Sequence, residues 1–266
     1  MFEGYLNNGV YYRHNEIKSG RRTLVFVHGL SGCCSAWFPY EDRFGPNYNL
    51  LSFDLRGHGK SVKKDKFDYY SLENIAADID ELSRNLGLNE FVLIGHSFGA
   101  LLALDFDKKF GGRAAGMVLL APDYRISQTL RAKIGRPFLG IAKILTFKPF
   151  KERIGIHIDY SRFPDTGDWD LKRIYTDIKN TSLRVYCYCL WQADKFDGDR
   201  MISGINLPVL IIHGKKDTIF PCSDSARMAK KIPGAELKIL PGANHILVMN
   251  NCKEVGDEIE KFAGRM

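Results

Sequence analysis

Six short runs of consecutive apolar, β-prone residues constrain this chain more than any other feature: Thr23–Val27, Leu50–Phe53, Phe91–Ile94, Met117–Leu120, Val209–Ile212 and Leu237–Leu240. Side chains alternate between the two faces of a strand, so an apolar run without polar interruption belongs in a sheet covered on both sides. Helical spacing fills the intervals. From Ser71 to Leu86, apolar residues fall at Leu72, Ile75, Ala76, Ile79, Leu82 and Leu86, with Ser71 placed to cap the start and Gly87 to stop the helix. Phe98–Phe110, Ser223–Lys231 and Ile246–Ala263 are further helical stretches. Alternating strand and helix builds parallel β-α-β units and an α/β fold. With 266 residues, 45% of them hydrophobic and 26% charged, the chain can bury the core that such a sheet needs, and disorder is excluded.

The two ends of this pattern are irregular in different ways. Phe2–Leu6 and Val10–Arg13 flank Asn7-Asn8-Gly9, a turn cluster that tolerates positive φ, so the chain opens with an antiparallel hairpin. Between Pro122 and Leu207 the alternation stops, and the signals are helical: Thr129–Ile134, Phe138–Phe147, Trp169–Lys179 and Leu183–Trp191. Two sheet strands follow, so this stretch reads as a helical cap at 122–206 inserted into one core domain, 1–121 with 207–266.

The strongest chemical signal is Gly95-His96-Ser97-Phe98-Gly99. It fits G-x-S-x-G, follows a buried strand and leads into a helix. A nucleophile on a sharp strand-to-helix turn leaves no room for side chains two residues to either side, and the helix start aims backbone N–H groups at a developing oxyanion. A serine needs a base, and the base an orienting acid. Asp217 lies just past the strand Val209–Ile212, and His245 follows the last strand in Pro241-Gly-Ala-Asn-His245. Asp123, after Met117–Leu120, is the rival acid. His28 and His96 flank functional backbone and read as packed supports, His58 as a turn-fixing residue, while His157 and His213 carry no partner pattern.

In these motifs the sequence resembles the α/β-hydrolase family, specifically its small, lid-bearing serine-hydrolase branch. The resemblance extends to His28-Gly29-Leu30, to Asp54-Leu-Arg-Gly-His-Gly-Lys-Ser61, similar to the family's D-x-R-G-x-G-x-S turn, and to Gly214-Lys-Lys-Asp217-Thr-Ile-Phe-Pro221. It implies a mostly parallel eight-stranded sheet with helices on both faces and a helical lid inserted after the sixth strand. It further implies Ser97 as nucleophile, His245 as base and Asp217 as the acid, with backbone N–H groups of Leu30 and Phe98 as the oxyanion hole. The implied activity is carboxylic ester hydrolysis without a cofactor or metal. Lactone, thioester, monoacylglycerol and carbon–carbon bond substrates stay open, as does a silent binding protein on the same fold. His28, Phe138, Ile141, Leu145 and Trp191 are candidates for the substrate pocket.

The basic surplus has a location. Whole-chain charge is +7, and the segment from Arg125 to Arg153 alone holds eight basic residues against Glu152. Around the apolar stretch Phe138–Phe147, such a segment could steer acidic or amphiphilic substrates or touch an anionic membrane surface. No nucleic-acid motif accompanies it. The six cysteines (33, 34, 187, 189, 222 and 252) form no C-x-x-C pair, so free thiols are expected. No signal-peptide layout opens the chain, which makes a cytoplasmic protein the expectation.

Overall fold

The computed structural model describes residues 1–124, 151–196, 198–199 and 201–266. Eight strands form one sheet: β1 (Phe2–Tyr5), β2 (Tyr11–His14), β3 (Thr23–Val27), β4 (Asn49–Phe53), β5 (Phe91–His96), β6 (Ala114–Leu120), β7 (Val209–Gly214) and β8 (Glu236–Leu240). Their spatial order is β1-β2-β4-β3-β5-β6-β7-β8. The hairpin forms as its turn residues require: β1 and β2 pair antiparallel from Phe2↔His14 to Tyr5↔Tyr11, with Gly9 at φ 86° in the turn. β2 joins β4 antiparallel, and every pairing from β4 to β8 is parallel.

Successive residues of β3 show why the apolar runs are continuous. Leu24 and Phe26 pack on one face with Phe44, Val255, Ile259 and Phe262; Val25 and Val27 pack on the other with Ile75, Leu82, Leu101 and Leu104. The first set comes from α1 (Phe38–Phe44) and the C-terminal helix, the second from α2 (Leu72–Asn85) and α3 (Phe98–Phe110). Ser71 caps α2 by accepting from Asn74 N–H at 3.2 Å, and Gly87 follows at φ 67°. One strand departs from the sequence expectation. β8 is an edge strand whose Glu236, Leu237 and Lys238 are exposed, so its run is covered on one side only.

Between β6 and β7 the described residues supply α4 (Leu171–Thr181) and α5 (Leu183–Asp194). Of the insert, residues 125–150, 197 and 200 lie outside the described residues, and with them the expectations for Thr129–Ile134, Phe138–Phe147 and most of the basic segment. After β7 come α6 (Cys222–Lys231) and, past β8, α7 (Leu247–Asn250) and α8 (Cys252–Gly264); the expected single helix over 246–263 is broken at Asn251, φ −123° and ψ 39°. All six cysteines are free thiols. Among the described residues no helix is long and apolar enough to cross a membrane.

Candidate active site

In a parallel sheet the loops that leave the carboxyl ends of the strands share one edge, and that edge gathers the polar groups here. Ser97 follows β5 directly, at φ 52° and ψ −110°, a left-handed conformation that a non-glycine residue adopts only under constraint. The constraint is steric. A Cβ at Gly95 would overlap the Gly99 carbonyl and one at Gly99 the Val27 carbonyl, so the elbow fits only because both positions are glycine. Ser97 N–H donates to the Leu120 carbonyl at 2.9 Å, pinning the turn to β6.

His245 Nε2 lies 2.9 Å from Ser97 Oγ, and its Nδ1 lies 2.7 Å from Asp217 Oδ2. Burial alone would raise the Asp217 carboxyl, but hydrogen bonds from His213 and His245 and from Phe220 N–H outweigh it and hold the group far below the usual carboxylate range. A carboxylate only accepts, so the proton of a neutral His245 sits on Nδ1, and Nε2 is left to accept from the Ser97 hydroxyl. The other Asp217 oxygen accepts the N–H groups of Ile219 and Phe220, both at 2.8 Å. Asp123, the rival acid, is buried past the end of β6 and does not line the pocket above Ser97.

That pocket has a volume of about 310 Å³. Its walls are mostly apolar (Leu30, Ile174, Ile178, Tyr186, Leu190, Ile219, Phe220, Val248 and Met249), with His28, Trp169, Arg173 and Asp177 among the polar members. A second cavity of about 590 Å³, lined by Phe38, His157, Phe163 and Pro164, shares Ala36, Tyr160 and Met249 with it.

A model of the alpha/beta hydrolase family matches residues 24–258. The chain belongs to that family. The Arabidopsis thaliana protein named "Probable lysophospholipase BODYGUARD 2" is 25% identical over 279 residues, covering 91% of this chain and 59% of its own length. This chain thus spans about three fifths of the length of the first curated relatives it matches. Among solved structures, an alpha/beta hydrolase enzyme from a Medee basin deep-sea metagenome library superposes with a TM-score of 0.77 at 22% identity, covering 97% of this chain and 94% of its own. The enol-lactonase from Burkholderia xenovorans superposes at 0.72 with 18% identity, covering 98% of this chain and 99% of its own. At these identities the structures speak to the fold.

As an alpha/beta hydrolase the chain places its sequence candidates unevenly. Ser97, His245 and Asp217 meet, and Phe98 opens α3, where first-turn N–H groups have no acceptor within the helix. Leu30 and His28 line the pocket. His28 is a packed support, since its Nδ1–H donates to the Gly29 carbonyl at 2.8 Å and its Nε2 accepts from Leu55 N–H at 3.0 Å. His96 is another: its Nε2–H donates to the His245 carbonyl at 2.9 Å, and burial pushes its imidazole down to about 3. Trp191 needs correction. It packs against Phe67 with centroids 6.3 Å apart and does not line the pocket; Tyr186 and Leu190, one helical turn apart on α5, take that place. The next residue on a helix points about 100° away, which turns Trp191 off that face. Trp169 lines the pocket as an aromatic of the insert, although the residue is 58% exposed; Tyr175, also exposed, does not line it. Phe138, Ile141 and Leu145 lie outside the described residues.

Other residues at the site had no readable pattern. His213 Nε2 lies 3.1 Å from Asp217 Oδ2 and its Nδ1 2.7 Å from Ser225 Oγ, so it braces the acid from behind; the four-residue spacing from His213 to Asp217 was the signal available. Arg173, buried in the pocket wall, donates to Asp177 at 3.0 Å, and Asp177 also accepts from Tyr160 at 3.0 Å. Burial raises the Asp177 carboxyl to about 6 against the lowering effect of Arg173. Farther off, Cys34, Asp54 and His157 place three metal-ligand atoms within 4.8 Å of one another. The Asp54 carboxylate there already accepts from Cys34 N–H at 2.7 Å, Lys60 N–H at 2.8 Å and His157 Nε2 at 2.9 Å, and burial keeps the Cys34 thiol protonated. That chemistry fits a docking contact between the insert and the core better than a cation site.

Proposed function

We propose that this chain is a cofactor-independent serine hydrolase that cleaves carboxylic esters through an acyl-enzyme. The observation that supports this reading best is the hydrogen-bonded series Ser97–His245–Asp217, set under a mostly apolar pocket of about 310 Å³. As the substrate carbonyl approaches Ser97, His245 Nε2 takes the hydroxyl proton while Oγ forms the tetrahedral adduct. Asp217, ionised throughout, keeps the ring oriented and stabilises the imidazolium. The adduct oxygen is bound by the N–H groups of Phe98 and Leu30. His245 then protonates the leaving alkoxide, and the same nitrogen activates the water that releases the acid.

An apolar wall favours an apolar acyl group of small or medium size, and the likeness to a lysophospholipase and an enol-lactonase is in keeping with acyl–oxygen bonds. A fluorophosphonate probe tests the chemistry: Ser97 should be labelled, and Ser97→Ala should not. Parallel panels of p-nitrophenyl esters of rising chain length and of lactones assign the substrate class. Absence of labelling and of turnover on both panels would leave a binding protein on a hydrolase fold.

A further inference from the structure

The carboxylate of Asp168 lies beneath the loops that carry the base and the acid. It belongs to the insert, is buried, and forms no salt bridge among the described residues. Its Oδ1 accepts the main-chain N–H of His245 at 2.8 Å. Its Oδ2 accepts both the N–H and the hydroxyl of Thr218, each at 2.7 Å. One side chain thus bridges the residue that is the base and the residue next to the acid, across 77 and 50 positions of sequence.

Its surroundings strengthen the bridge. Two residues earlier, the Thr166 carbonyl accepts the amides of Asn244 and Asn250 at 2.9 Å each, which holds the histidine loop from a second side. The Asp168 carbonyl accepts from Arg173 at 3.2 Å, and the Trp169 indole N–H donates to Thr218 Oγ1 at 2.9 Å. A buried carboxylate held by main-chain and hydroxyl dipoles keeps its solvation only while every donor stays in place. Moving either loop would strip it of partners, so the two loops are locked to each other through the insert.

We infer that Asp168 is a positioning residue that holds His245 and Asp217 in register, so that the insert, and not the sheet edge alone, completes the relay. The inference rests on the hydrolase reading for its kinetic consequence, but not for its geometric one. Displacing a relay group by about 1 Å can lower turnover by about 10²-fold while substrate binding is unchanged. Asp168→Ala removes all three acceptor contacts. Asp168→Asn keeps the shape and one acceptor oxygen but turns an amide toward one of the N–H donors.

The test compares both variants with the unmodified protein by kcat and KM on a short p-nitrophenyl ester and by the rate of fluorophosphonate labelling. The downfield proton resonance of the His245–Asp217 hydrogen bond and the Tm are measured beside them. The expected result is a fall of about 10²-fold in kcat for Asp168→Ala, with KM within about threefold. Asp168→Asn should fall in between, and the downfield resonance should shift or disappear in folded protein. Full kcat with an unmoved resonance in both variants would overturn the inference. So would losses that track only the fraction unfolded, which would assign Asp168 to stability alone. If the unmodified protein neither labels nor turns over, the hydrolase reading falls, while the resonance comparison still decides whether Asp168 holds the pair.

Discussion

The insert meets the core at two buried carboxylates, and the two junctions are arranged in opposite senses. At the first, the acid belongs to the core: Asp54 accepts two core N–H groups and the ring of His157 from the insert. At the second, the acid belongs to the insert: Asp168 accepts donors from His245 and Thr218 of the core. The bonding chemistry is the same, but the loops differ. Those around Asp54 carry no proposed reacting atom, whereas those around Asp168 carry the proposed base and acid. The contrast teaches that a buried acid's role follows from what its donors are attached to.

The largest expected effect tests whether the second junction stands at a reacting centre at all. Ser97→Ala should lower kcat for esters by about 10⁴–10⁶ with an unchanged circular dichroism spectrum and Tm; retention of substantial turnover in a clean preparation breaks the comparison. Next in size, Asp217→Asn should lower kcat by about 10⁴, because an amide can present the wrong group to His245 Nδ1, while Asp123→Asn should stay within about tenfold. Steady-state kinetics on one ester rank the two, and the reverse order would move the acid to the end of β6.

At the first junction the effect should appear in stability instead. His157→Leu removes one donor from the buried Asp54 carboxylate and should lower unfolding stability by about 2–3 kcal/mol in denaturant titration, with kcat within about threefold. A large loss of kcat with unchanged stability would erase the distinction between the junctions.

Acid should sharpen it further. Burial pushes His58, in the turn beyond Asp54, down to about 3, and His96, behind His245, to about 3 as well. A base held neutral in the fold and charged when unfolded stabilises above its unfolded value, so stability should fall as the pH drops from about 6.5 towards 3. Each such group should cost about 2 kcal/mol between pH 7 and pH 5, and His58→Gln should remove its share of the slope. Asp54 is also buried, but its bonds to His157 hold it below the usual carboxylate range, so its contribution is present near neutrality and lost only at more acidic pH. A flat profile between pH 7 and pH 5 would contradict the buried, neutral state of both histidines.

Much of the molecule was legible from residue order. The six apolar runs place β3 to β8, and the turn cluster at 7–9 places β1 and β2; the expectation that each run is covered on both faces fails at β8, where being at the edge is a property of the sheet and not of the run. The nucleophile elbow was legible because its glycines are demanded by contacts within a few residues and with β3. Ser97, Asp217 and His245 could be put forward together because each lies within five residues of the end of a recognisable strand. The pocket was less legible: a one-residue step along α5 separates Leu190, which lines it, from Trp191, which does not.

What the sequence by itself determined is therefore the set of local and periodic features: strand faces, helix caps, the strained turn and the order of the reactive residues. Those follow from sterics and burial within one element. What only the tertiary structure decided are the partnerships made across long separations: His157 on Asp54, and Asp168 between His245 and Thr218. An aspartate in a polar stretch such as Asp165-Thr-Gly-Asp168 has the same local signature whether it faces solvent or three buried donors. The difference is made by which loops the folded sheet brings to it.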